Sequence, residues 1–400
     1  MRITDVRCVT YVGELKHPEP FWTDRLRRPT DVYPEFARIG AADLRRLGPD
    51  RYEVRSTFLH VDTDAGITGS TAQISADQAH IIQGTLRELL VGADPLATER
   101  IWDVAYRSSI HARRGAGMLA LSAVDCALWD IRGQHFGVPA HVLLGGPTRT
   151  EVPIYVSTLG TGLGEADVRR ATRAVVGAGG SGIKWFPRVG PPDGAAGVRA
   201  VAELVETVRD EGGEDLDIML DAWSSWDVMF TVDVARAVRD ARVCWIEEPL
   251  NTDDAAGYRR LRDHLGGDVA IAGGEHEYGR WGFAALTADA VFDVYQPDPH
   301  WAGGISEVAK IGTLLSAAGA VMIPHGQSMQ CNAALAFSSS PALTPRMEYL
   351  DKLAPLYQHF LAHPLVPTGG VIEVPTLPGL GMELDPDRVL AAEPLGGAAE

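Results

Sequence analysis

Ionisable residues recur at a regular rhythm through the second half of the chain. Asp221 stands near the end of DIMLDAW, Glu247 and Glu248 near that of VCWIEEPL, and Glu275 closes VAIAGGE. Asp298 follows in DVYQPDP, His325 in VMIPHG and Glu348 in RMEYLD, while Lys184 comes earlier, in GIKWFP. Each run has the short apolar character of a buried strand. If such strands form a parallel barrel, side chains at their C-terminal ends share one mouth. Acids on three successive strands would be heavily desolvated there unless a counterion joins them. Hard oxygen donors suit Mg²⁺, with Mn²⁺ as the alternative. Asp221, Glu275 and one of the adjacent pair Glu247 and Glu248 are therefore candidate metal ligands. The competing reading pairs these acids with arginines or turns them to solvent. It is stronger for any single acid than for the ordered triplet.

Asp298 and His325 form a second constellation, at the ends of neighbouring strands. A carboxylate beside an imidazole orients the ring and supports its charged form, which makes His325 a competent base. An ordinary buried histidine is the bland alternative. No Ser or Cys nucleophile elbow and no H-x-H or H-E-x-x-H pattern is evident, so hydrolytic chemistry loses ground.

The elements that must position these residues follow from periodicity. Eight short β runs, from PIYVS to RMEYLD, alternate with helical stretches such as VRAVAELVETVRDEGG and ISEVAKIGTLLSAAG, which argues for a parallel closed barrel. A doubly wound open sheet is disfavoured because no G-x-G-x-x-G turn opens the region. Residues 1–135 read as a mixed α+β domain. A strand is expected near Thr4–Val12, two more around a Gly-containing turn in RSTFLHVDTD and GITGSTAQIS, and helices over Asp77–Leu90 and Leu96–Tyr106. MLALSAVDCALWDIRGQHFG reads as a buried helix stopping at Gly137. The barrel is expected over 136–363, and the Gly- and Pro-punctuated tail, 364–400, returns to the first domain.

Composition bounds the rest. The chain has 400 residues, 46% hydrophobic and 22% charged, enough for a barrel and a smaller companion. Its formal charge of −17 disfavours nucleic acid, where affinity comes from neutralising phosphates. No apolar run is long enough to span a bilayer, and MRITDVRCVTYVG lacks the apolar core of a secretory signal. Four scattered cysteines fit a reducing cytoplasm better than a disulfide framework.

The order LDAW, WIEEPL, GGEHEY, QPD and IPHG resembles the enolase superfamily, mandelate racemase subgroup. DCALWDIRGQHFGVPAHVLLGG is similar to that family's junction between domains, so the resemblance covers nearly the whole chain. It implies a modified (β/α)7β TIM-type barrel under an α+β capping domain, and usually a homo-oligomer. It also implies Mg²⁺ held by Asp221, Glu247 and Glu275, with His325 and Asp298 as the base dyad. Within the subgroup, KWFPRVGPPDG, IMLDAW, GGEHEY and QPDPHWAGG look most like the L-rhamnonate dehydratase family, which converts a sugar acid to a 2-keto-3-deoxy product. One departure matters. Many relatives carry K-x-K on the second strand, whereas here Lys184 is followed by Trp185 and Phe186. Racemisation needs bases on both faces, so this loss disfavours it.

The expected chemistry is removal of the C2 proton of an aldonate by His325, followed by loss of the 3-hydroxyl. Glu348 is expected to donate a hydrogen bond to the enediolate if burial raises its pKa. Lys184 is expected to contact the carboxylate or bias the dyad, or else to pair with a barrel acid. The stretch KHPEPFWTDRLRRP would cover the mouth, with Trp22, Arg25 and Arg46 as substrate contacts and His276 meeting a hydroxyl. For each of these four, packing or surface solvation is at least as good a reading. An epimerase or racemase, and a sugar-acid-binding protein without turnover, are the alternatives.

Overall fold

The computed structural model describes residues 1–17, 20–41 and 43–395. Pro18 and Glu19 of the expected mouth-covering stretch, and the end of the tail, lie outside the described residues.

The first layer is an antiparallel sheet. Strand β1 (Ile3–Lys16) pairs along nearly its whole length with β3 (Arg51–Thr63), whose far edges carry β2 (Arg46–Gly48) and β4 (Thr68–Thr71). Alternation in the first half of β3 buries Tyr52, Val54 and Phe58 and leaves Arg51 and Arg55 outside, and the run Phe58–Val61 is buried on both faces. Helices pack on the inner face. The first is capped by Ser75 and Gln78 in a reciprocal pair, so it starts at Ala76, and a π-helical turn at Ile82–Leu86 interrupts it before Leu90. The next runs Thr98–Ser108. The central helix, Ala116–Phe136, is buried on nearly every side and ends where Gly137 takes φ of +66°.

The second layer holds β5 (Glu151–Ser157), β6 (Gly182–Trp185), β7 (Asp217–Asp221), β8 (Val243–Glu247), β9 (Ala270–Gly273), β10 (Val294–Tyr295), β11 (Val321–Met322) and β12 (Met347–Leu350). They are parallel, in the order β12-β5-β6-β7-β8-β9-β10-β11, with a helix between each consecutive pair. This is the (β/α)7β arrangement. No ladder joins β11 to β12 among the described residues. The Met322 N–H donates to Leu343 O at 2.8 Å, and the Gly326 N–H donates to Glu348 Oε2 at 2.8 Å, so a strand-end carboxylate bridges the seam. Tyr155, Met219, Trp245, Ala272, Val294 and Ile323 fill the barrel interior.

The tail touches both layers. Strand β13 (Val371–Glu373) runs antiparallel to β5, and β14 (Ala391–Leu395) pairs with β1. The layers are also joined by side chains at the loop after β10 and the first turn of the helix that follows it, Gly304–Ala317. Trp102 Nε1 donates to Gly303 O at 2.7 Å, Trp129 Nε1 to Ser306 Oγ at 2.8 Å, and Asp125 accepts the Ser306 N–H at 2.9 Å. No described helix is long and apolar enough to cross a membrane.

Candidate active site

Parallel register sets the acids side by side. Asp221 of β7 lies opposite Glu247 of β8, and Glu247 lies opposite Ala272, three residues before Glu275. Lys184, at the end of β6, reaches into this row. Its Nζ lies 2.5 Å from Glu247 Oε1, 2.8 Å from Glu348 Oε1 and 3.2 Å from Asp221 Oδ2, and all four side chains are buried. Burial opposes the ammonium, but Glu247, Glu348 and Asp221 hold it charged, well above the ordinary lysine range. Of the two expectations for Lys184, the structure shows the pairing with barrel acids.

Glu247 keeps both oxygens occupied. Its Oε2 accepts from Gln296 Nε2 at 2.7 Å and Trp245 Nε1 at 3.1 Å. Asp221 is pushed well up by burial and then by the charge of Glu247, with Lys184 opposing. Glu248, the other half of the adjacent pair, points elsewhere because its backbone adopts φ of +36°. Its Oε1 accepts the Gly274 N–H at 3.1 Å and its Oε2 faces His276 Nδ1 at 2.7 Å. Burial disfavours charge on His276, yet Glu248 and Glu275 raise it to about 9. Glu275 is raised to about 7 by burial, and its oxygens lie 3.7 Å from His276 Nδ1 and 3.8 Å from His325 Nε2, beyond hydrogen-bonding distance. Glu248, Glu275 and His276 have ligand atoms within 4.8 Å of one another, but the ion pair already occupies Nδ1 and a hard cation prefers oxygen.

His325 faces this cluster from the other side. Its Nδ1 lies 2.6 Å from Asp298 Oδ2, and its carbonyl accepts from Asn332 Nδ2 at 2.7 Å. Asp298 is itself fixed by the His300 N–H, 2.6 Å from Oδ1. Burial works against the imidazolium, but Glu275 and Asp298 raise His325 to about 10. The Trp301 ring lies 4.8 Å from the His325 ring and 5.7 Å from that of His276, flanking both imidazoles.

Glu348 departs from its expected role. Burial alone would raise it, but the charges of Lys184 and His325 and hydrogen bonds from Lys184 and Ser157 bring it down to about 2. It accepts from Ser157, Lys184 and the Gly326 N–H, and the raised pKa on which a donor role depended is not found. Arg25 also departs. Its guanidinium is buried, pairs with Asp31 at 2.7 and 3.1 Å, and donates to Leu26 O and Ile39 O. Those donors tie up the loop and leave little for a ligand. Arg46 sits half-exposed against Asp43, 5.3 Å above the Tyr52 ring on the outer sheet edge. Trp22 is brought to the barrel. It lies over Gly160 in the loop after β5, where a Cβ would meet the indole at 1.9 Å, and Thr23 N–H donates to Gly160 O at 2.9 Å. Gln296, Ser157 and Trp301 were not singled out in the sequence. All three lie in or next to strand-end motifs, and Gln296 and Asp298, two residues apart just after β10, are both fully buried.

Residues 51–145 match the family described as mandelate racemase / muconate lactonizing enzyme, N-terminal domain, and residues 166–388 match the enolase C-terminal domain-like family. The chain belongs to the enolase superfamily, mandelate racemase subgroup. This superfamily member is 32% identical to an L-rhamnonate dehydratase from Saccharopolyspora erythraea, over 97% of each chain. Among solved structures it resembles L-rhamnonate dehydratase from Gibberella zeae (TM-score 0.82, 25% identity, 98% of this chain and 96% of that one). It also resembles a racemase from Streptomyces coelicolor with bound magnesium (TM-score 0.78, 26% identity, 97% and 98%).

Proposed function

We propose that this enzyme is a Mg²⁺-dependent dehydratase of an aldonate, with L-rhamnonate as the first substrate to test and Mn²⁺ as a substitute ion. The observation that carries the reading is the placement of His325: one ring nitrogen is locked to Asp298, and the other is aimed at the carboxylate cluster. The 32% relative supports the substrate class.

The residues fit a divalent ion. Asp221, Glu247, Glu248, Glu275, Asp298 and Glu348 are all buried around one lysine and two imidazoles, so negative charge is in excess even with both rings protonated. Asp221, Glu247 and Glu275 would hold the ion, since Glu248 is committed to His276. When bound, a divalent cation neutralises these acids and stabilises enediolate charge on the substrate carboxylate.

The chain's own groups do the rest. His325 Nε2, neutral once a bound cation offsets the Glu275 charge that holds its proton, takes the C2 proton while Asp298 holds the ring and balances its charge. The C3–O bond then breaks, and His325 returns a proton to the departing hydroxyl if elimination is syn. The resulting enol tautomerises to the 2-keto-3-deoxy acid, and the net change is loss of one water. His276, cationic and braced by Glu248 through Nδ1, offers Nε2 to a substrate hydroxyl. Trp301 keeps water off the base, and Trp22 closes the mouth from the first domain. Lys184 and Glu348 act together as a charge-balanced floor.

Racemisation is the weaker reading because Lys184 is engaged by three carboxylates and is followed by buried Trp185 and Phe186, leaving no second base beside it. A panel of aldonates and aldarates with Mg²⁺, assayed for 2-keto product and for deuterium at C2, separates these outcomes. Exchange with inversion and no keto acid would favour the epimerase. Bound sugar acid with neither would favour a non-catalytic protein. We further read the enzyme as a cytoplasmic homo-oligomer, supported by its four free cysteines and its family, and testable by light scattering of the purified protein.

A further inference from the structure

A second cluster lies behind the dyad, and none of its side chains takes part in the proposed reaction. The Sγ atoms of Cys126 and Cys331 and a ring nitrogen of His300 all lie within 4.8 Å of one another. All three residues are buried, at 0, 1 and 4% exposure. They come from both layers. Cys126 is on the central helix of the first domain, His300 is in the loop after β10, and Cys331 is in the first turn of the helix Met329–Ser338.

Buried cysteines usually behave as small apolar groups, and two of them with an imidazole at this spacing would not need to face one another for packing alone. Here the contacts are polar. Cys331 Sγ lies 3.7 Å from His300 Nε2, Thr71 Oγ1 lies 3.1 Å from the same nitrogen, and Cys126 Sγ donates to Pro299 O at 3.6 Å. Burial would push the Cys331 thiol up, but the neighbouring Cys126 and His300 bring it down to about 5.

We infer that Cys126, Cys331 and His300 form a binding site for a single thiophilic d¹⁰ cation of the cuprous class. Two sulfurs and one imidazole give a soft three-ligand set, which suits Cu(I) and gives Mg²⁺ nothing to hold. Zn²⁺ in a closed site takes four ligands, and the neighbouring fourth candidate, the Thr71 hydroxyl, is a poor one. Binding needs no redox step. Cu(I) stays Cu(I), the Cys126 thiol releases its proton to solvent, and His300 passes to its Nδ1–H tautomer, so that Nε2 exchanges its Thr71 and Cys331 hydrogen bonds for the metal. The bound ion would join the capping helix to the barrel at the loop that anchors Asp298. Because the trio is enclosed, loading should be slow and should need opening of the domain seam.

The test uses full-length protein saturated with Mg²⁺ and titrated anaerobically with Cu(I) against a chromophoric chelator. One tight equivalent per chain is expected, with two sulfurs and one nitrogen in its X-ray absorption spectrum. Cys126→Ser and Cys331→Ser should each lose it, whereas Cys8→Ser and Cys244→Ser should keep it. Absence of a tight equivalent in the wild type, or a copper shell lacking two sulfurs, overturns the site. So does an equivalent that survives in both Cys126→Ser and Cys331→Ser. The wild-type spectrum decides the matter even if a serine variant fails to fold.

Discussion

Asp298 holds His325 with one oxygen and the backbone of His300 with the other, at 2.6 Å in each case. The carboxylate is thus oriented before it orients the ring, and Nε2 is left as the base. Asp298→Asn keeps the shape but loses the charge that supports the imidazolium. We expect kcat to fall by about a hundredfold to ten-thousandfold with KM changed little, measured by steady-state kinetics on the active aldonate. A change confined to KM would assign Asp298 to substrate binding.

Lys184 is the internal counterion for Asp221, Glu247 and Glu348. Lys184→Met leaves three buried carboxylates facing one another, and removing one partner of a buried ion pair costs about 3–5 kcal/mol. Urea unfolding should show a larger loss in EDTA than in Mg²⁺, because a divalent ion can take over part of the compensation. An equal loss in both would place the ion away from these acids.

His60 gives stability a pH dependence. It is buried in the first sheet between Tyr11, 3.0 Å away, and Ser70, 2.8 Å away, and burial lowers its pKa to about 4. The unfolded chain takes up this proton near 6.5 and the folded chain only near 4, so stability is fully present above pH 6.5 and is lost as pH falls towards 4. The shift corresponds to roughly 3 kcal/mol at the acid end. His60→Asn should flatten this part of the urea midpoint's pH profile; an unchanged slope would show that other groups cause it.

Trp22 and Arg25 separate a substrate-facing role from a structural one. Trp22→Ala opens the cover over Gly160 and should raise KM for the aldonate several-fold with stability nearly unchanged. Arg25→Met strands Asp31 and frees the loop that its carbonyl bonds tie, so limited proteolysis should cut near residues 28–39 while the barrel stays intact. Resistance of that segment would contradict the structural role.

The alternation of short apolar runs with amphipathic helices made the barrel legible, because a strand buried on both faces leaves a sequence signature of its own. The strand-end rule likewise put Asp221, Glu247, Glu275, Asp298 and His325 at one mouth. What sequence could not resolve was charge state and direction. Glu348 looks like any buried acid until Lys184 is seen 2.8 Å away. Arg25 looks like a ligand contact until Asp31, six residues on, is seen to claim it. Strand position alone left Glu247 and Glu248 open; the family resemblance favours Glu247, and the positive φ of Glu248, which turns its carboxylate towards His276, gives the physical reason.

The most direct test compares wild type with His325→Asn, measuring 2-keto-3-deoxy product from L-rhamnonate and Mg²⁺ affinity by calorimetry on the same samples. The account predicts product from the wild type, a drop of about a thousandfold or more in the variant, and Mg²⁺ affinity unchanged within a few-fold. Turnover in the variant within tenfold of the wild type would remove the dyad from the reaction.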